Sequence, residues 1–227
     1  MTRRTDNPII FKACFYQTII RELLNSASMG NMMSAMLMGL CTIDYMSVPL
    51  ALPKKNTRTH FKQFLTDYMS KINPKYFETD IQKKIYAIRC SLVHVFGDSD
   101  ATEDCNIVPE FFIGRLSNNL HLCESQNLNY EDRFFLSIPK FIGEIVSSVA
   151  EYFKQNETKI PSIAPEWGKK LYWLGGGGIF NVLASVRNNS IIYRNIHSFL
   201  SIMDDSAKTT SEIAEYIAEQ ILIANGY

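Results

Sequence analysis

The sequence predicts a mainly α-helical protein: a helical bundle with a small β-hairpin and a further helical region at the C-terminus. Three observations predict it. Apolar residues recur at helical spacing through the N-terminal half. Gly and Pro, eleven and eight in 227 residues, are few and fall mostly between the periodic runs. The sequence Thr209-Thr210-Ser211-Glu212 has the capping-box pattern and opens a last apolar run. An apolar content of 46% is that of a globular chain and excludes disorder throughout.

Taken in order, Ile9 to Leu24 carries Ala13, Tyr16, Ile19, Ile20, Leu23 and Leu24 at helical spacing. A second helix follows over about Ser28 to Leu50, rich in methionine (Met29, Met32, Met33, Met36, Met38), which reads as flexible core filler. No residue from Leu23 to Ile43 is charged, but Asn25, Ser26, Ser28, Asn31 and Ser34 favour a buried helix over a membrane span. Pro53 breaks the pattern, and Lys54-Lys55-Asn56-Thr57 reads as an exposed basic connection. A third helix, about Thr59 to Ser70, places Phe61, Phe64, Leu65, Tyr68 and Met69 on one face, and Asn73-Pro74 marks a turn. A fourth runs from about Thr79 to Val95, with Gly97 as its C-terminal cap. The acidic stretch Gly97 to Asn106 is a loop. Ile107–Ile113 and Asn119–Cys123 are expected to form the hairpin. Phe134 to Phe153 reads as a helix interrupted early by Pro139, and Pro161, Pro165 and Gly175–Gly178 make the next segment irregular. Residues 1–155 are thus one helical domain, and 156–227 an extension packed on it.

Lys plus Arg and Asp plus Glu number 23 each, so the net charge is zero and nothing draws nucleic acid or anionic membrane to the whole surface. RNA, if bound, is bound locally. Five cysteines, an odd number without a CxxC pair, fit neither a zinc site nor a disulfide framework. They read as reduced thiols, which places the protein in the cytoplasm. Arg3 and Arg4 followed by Asp6, Asn7 and Pro8 do not fit a signal peptide.

The chemically informative segment is Arg89-Cys90-Ser91-Leu92-Val93-His94, near the end of an otherwise apolar helix. Five residues along an α-helix give about 7.5 Å of rise and about 140° of rotation. The two side chains are therefore not stacked, though a long arginine can swing toward the imidazole. Together they suit phosphodiester cleavage. The imidazole moves protons near neutral pH. The guanidinium holds a phosphate and favours the added charge of the transition state. RNA brings its own nucleophile, the 2′-hydroxyl. The spacing alone favours an arginine paired with an acidic neighbour and a histidine capping a helix C-terminus. Asp44, at the end of an apolar helix, is placed to pair with Arg89 across the bundle, either as structure or to orient the site.

This segment resembles the arginine, four to six residues, histidine motif of HEPN domains (higher eukaryotes and prokaryotes nucleotide-binding). Ile85-Tyr86-Ala87-Ile88 before the arginine, Phe96-Gly97 after the histidine, the upstream helix ending Ile43-Asp44, and Phe61-Lys62-Gln63-Phe64-Leu65 resemble bacterial members as well. The resemblance covers about residues 9 to 100, and reaches 155 with one more helix. It implies a helical bundle, a homodimer with both motifs lining a shared cleft, and a ribonuclease needing no metal or cofactor. Such a protein acts on RNA as a toxin, with a neutralising antitoxin, or in antiviral defence. It implies Arg89 as the phosphate-binding group, His94 as acid/base, and Cys90 and Ser91 as substrate-binding positions. After the arginine the family commonly has Asn, Asp or His, whereas Cys90 is a poor hydrogen-bond partner. Some HEPN-like proteins are non-catalytic modules binding nucleotide, RNA or protein, and that second class stays open.

Elsewhere, Gly175–Gly178 lacks the Lys and Ser/Thr of a phosphate loop and reads as a turn. Arg58, His60 and Lys62 with Lys54 and Lys55 form a basic cluster that reads as a solvated turn or as a contact for a nucleic-acid backbone. His121 and His197 read as structural.

Overall fold

The apolar runs of the N-terminal half fold as helices. The computed structural model describes Lys12 and residues 15–47, 57–95, 107–115, 120–125, 133–159 and 208–227. A π-helical turn, Tyr16–Ile20, leads into α1 (Arg21–Ser28). Gly30, at φ 78°, takes the left-handed conformation that glycine adopts without strain. It separates α1 from α2 (Met32–Ser47), so the helix expected from Ser28 starts one turn later. The methionines divide: Met32, Met36 and Met46 are buried, whereas Met29 and Met33 are exposed. α3 (Thr57–Asp67) is followed by 3₁₀ turns at Met69–Lys71 and Pro74–Phe77. Asn73 caps the second turn by accepting from the Lys75 amide at 3.2 Å. α4 (Thr79–Cys90) continues as a π-helical segment, Ser91–Val95.

The class is as expected, mainly helical with a small sheet, but the strands pair differently. β1 (Val108–Phe112) and β2 (Cys123–Ser125) do not pair with each other. Both flank β3 (Arg133–Ser137), β1 in parallel and β2 antiparallel. The sequence reading had placed most of β3 inside a helix. Arg133-Phe134-Phe135-Leu136-Ser137 instead buries alternate side chains as a strand, and Pro139 starts α5 (Ile138–Gln155) rather than interrupting it. At that position the proline's missing N–H is one the helix leaves unbonded anyway.

α6 (Thr210–Ala224) opens with the expected capping box. Thr209 Oγ1 accepts from the Glu212 amide at 3.3 Å, and Glu212 Oε2 accepts from the Thr209 amide at 2.7 Å. α6 lies along α5 and shares its core: Ile145, Val149, Ile213 and Ile217 belong to one cluster with Leu24, Ile43, Phe64 and Ile85. The backbones approach closely at Gly143, where an added Cβ would sit 2.3 Å from the Ala214 carbonyl oxygen. Backbone cannot yield as a side chain can. Gly143→Ala, ordinarily favourable in a helix, is expected here to destabilise by about 1–3 kcal/mol. Urea unfolding measures this, and an unchanged or raised midpoint would show that the helices can part.

Cys41, Cys90 and Cys123 are free thiols. Among the described residues no helix is long and apolar enough to cross a membrane. The Gly97 cap, the acidic loop to Asn106, Lys54, Lys55, Cys14, Cys105, Gly175–Gly178 and His197 lie outside the described residues.

Candidate functional site

The site forms where α2 and α4 meet. Arg89 closes the last turn of α4, and its Nε donates to Asp44 Oδ2 of α2 at 2.6 Å. The two side chains are 12% and 20% exposed, so the pair is sheltered but open to solvent along one edge. Burial alone would lower the Arg89 pKa. The carboxylate of Asp44 outweighs it and holds the guanidinium charged. Because Asp44 takes the Nε–H, it fixes the plane of a group that carries five donors in a rigid fork.

Tyr86, one turn before Arg89, supplies an aromatic floor. The Arg89 guanidinium carbon lies 5.8 Å from the centre of its ring, and that of Arg58, on the first turn of α3, lies 5.7 Å away. Phe61 meets the ring edge-on at 5.5 Å. Two guanidiniums on one tyrosine concentrate positive charge on a chain whose net charge is zero.

Of the residues named from the sequence, Asp44, Arg89 and Cys90 come together, with Cys90 Sγ 4.0 Å from Arg89 Nη1. Ser91 is buried. His94 lies on the π-helical segment Ser91–Val95, and its side chain is outside the described residues. The 140° separation of positions 89 and 94 presumes an α-helix throughout. In the π-helical stretch the backbone bonds skip five residues, so these positions lie nearer to one full turn apart. The basic cluster divides: Arg58 joins Tyr86, whereas His60 lines a separate cavity. Tyr86 was not singled out in the sequence. An aromatic residue three positions before an arginine on a helix was its signal.

A second polar cluster is centred on the buried side chains of Glu144, His121 and Tyr76. Glu144 of α5 accepts from Tyr76 Oη at 2.5 Å, His121 Nε2 at 2.9 Å and Asn73 Nδ2 at 3.0 Å. The Ser137 amide donates to His121 Nδ1 at 3.2 Å, which leaves the ring proton on Nε2 facing the carboxylate. Leu122, at φ 56°, turns the chain here, and Lys75 Nζ donates to the carbonyls of His121 and Leu122 at 3.3 and 3.2 Å. At 3% and 1% exposure, His121 and Glu144 are positioned as structure, tying the 3₁₀ turn, the strand edge and α5 together. A lone carboxylate in the apolar run Ile142-Gly143-Glu144-Ile145-Val146 was the overlooked sign of that node.

Among the described residues no group of three or more His, Cys, Asp or Glu side chains is placed to hold a metal ion. Comparison of the chain with protein-family models, with curated proteins and with solved structures finds no match.

Proposed function

We propose that the chain is a HEPN-like endoribonuclease that cleaves RNA without a metal ion. Arg89 binds the scissile phosphate. His94 takes the proton of the 2′-hydroxyl as its oxygen bonds to phosphorus. The 5′-oxygen then leaves and receives that proton back from the imidazolium, giving a 2′,3′-cyclic phosphate and a 5′-hydroxyl end. The observation that carries this reading is Arg89, fixed by Asp44 beside a Tyr86 ring that it shares with Arg58. That arrangement offers a charged donor fork for phosphate, backed by an aromatic ring and a second guanidinium. The resemblance to HEPN domains adds the rest: two chains joined at a shared cleft, acting in the cytoplasm as a toxin with its antitoxin or as an antiviral effector.

Incubation of the purified protein with RNA in the presence and absence of a chelator tests it. The expected result is cleavage of equal extent in both, with cyclic-phosphate ends on the fragments. Intact RNA, or cleavage that the chelator stops, would overturn the reading.

A second reading is a non-catalytic module that binds nucleotide, RNA or a protein partner. The ion pair favours it, because the charge of Arg89 is already matched by Asp44. In that case RNA is retained on the protein and stays intact.

A further inference from the structure

On a helix, residues two apart point about 200° away from each other. The first turn of α3 therefore turns Arg58 toward Tyr86 and His60 toward the opposite side. There His60 meets a cavity of about 310 Å³ between α3, the end of α2 and α5. The cavity begins close to the Arg89 site: its wall includes Ser47, which lies three residues after Asp44 on α2 and whose hydroxyl donates to the Asp44 carbonyl at 2.7 Å.

The lining is of two kinds. Phe64, Tyr68 and Tyr152 are buried aromatic walls. Their rings lie 5.0 to 6.2 Å apart by centroid, a stack of tilted planes. His60, Gln63 and Asp67 supply the polar groups, all from one face of α3. Gln63 Nε2 donates to Asp67 Oδ1 at 2.8 Å and so orients the carboxylate. Among the described residues Asp67 accepts no other hydrogen bond, and the His60 ring makes none. A buried aromatic floor with a carboxylate on one side and an imidazole beside it makes a recognition site for a planar, polar-edged ligand.

We infer that this cavity is a binding site for a guanine base. The volume is at the low end for ligand pockets and suits a base rather than a whole nucleotide. The aromatic floor suits a planar heterocycle laid upon it. The decisive group is Asp67. A carboxylate accepts two parallel N–H bonds, and among the four RNA bases guanine alone carries two adjacent donors, N1–H and the N2 amine, on its Watson–Crick edge. Adenine and cytosine set one amine beside an acceptor nitrogen, and uracil sets its single N–H between two carbonyls. The ring N–H of His60 then faces the O6 acceptor on the same edge. Base binding stands apart from catalysis. Its consequence for cleavage, a preference for sites next to guanosine, rests on the ribonuclease reading above.

The test titrates the full chain with guanosine and, separately, with adenosine, following the His60 ring signals by NMR. Guanosine is expected to shift them and to bind at least about tenfold tighter than adenosine. Asp67→Asn keeps the size of the side chain and replaces one acceptor by a donor. It should reduce guanosine binding to the level of adenosine while thermal unfolding stays unchanged. Equal affinity for the two nucleosides, no shift with guanosine, or a preference that survives in Asp67→Asn would each overturn the assignment. Guanosine binding without RNA cleavage would leave the pocket standing and sink the ribonuclease reading. Cleavage without guanosine binding would do the reverse.

Discussion

Replacing Glu144 with leucine is expected to destabilise the fold by about 3–5 kcal/mol, against a total of about 5–15 kcal/mol for a domain of ordinary stability. The leucine fills much of the volume but accepts nothing. It leaves the Tyr76 hydroxyl and the His121 Nε2–H buried without their acceptor, each a desolvated donor worth about 1–3 kcal/mol when orphaned, and takes the acceptor from the half-buried Asn73 amide as well. Burial by itself would raise the Glu144 pKa. The electrostatic interaction with His121, followed by the hydrogen bonds from His121, Tyr76 and Asn73, outweighs that and holds it below the ordinary 4.5. A depressed pKa stabilises the native state above the unfolded value, and the contribution fades as pH falls through the native one. The gap between wild type and Glu144→Leu should therefore be full at neutral pH and narrow below about pH 4.5. Urea unfolding across that range measures both effects. A gap under about 1 kcal/mol at pH 7 would mean that the node is not a keystone of the fold.

His94→Ala is expected to lower RNA cleavage about 10²–10⁴-fold, the usual worth of a positioned acid/base, with unchanged far-UV circular dichroism. Asp44→Asn in the same assay separates the two roles open to the Asp44–Arg89 pair, orienting the site or bracing the fold. If Asp44 orients Arg89 over a phosphate, the amide loosens the fork and cleavage falls by about 10²-fold, in line with a misplacement of order 1 Å. If the pair only braces α2 against α4, unfolding shifts and cleavage does not. Cleavage by His94→Ala at the wild-type rate would remove the histidine from the mechanism.

The pieces of this protein that were legible in the sequence are those whose cause lies within a few residues. The capping box at Thr209 and Glu212 names its own helix, because both hydrogen bonds close within one turn. The periodicity of Phe61, Phe64 and Leu65 marks a buried helix face without knowledge of what covers it. Pro139 shows the limit. A proline early in an apolar run signals either a broken helix or a helix start, and the choice depended on whether Phe134 and Leu136 had strands to pair with.

Mainly helical class, the location of most helices and the Arg89–His94 segment followed from the sequence by itself, since helical period, caps and turn residues act locally. Only the tertiary structure decided which strands pair, that Arg58 and Arg89 share Tyr86, and that Glu144 gathers Tyr76, His121 and Asn73. Those partners stand far apart along the chain: 45 positions between Asp44 and Arg89, 68 between Tyr76 and Glu144. Their meeting is set by how the helices pack around a common apolar core. No local pattern encodes it, because each polar group finds its partner only after burial has brought both out of water.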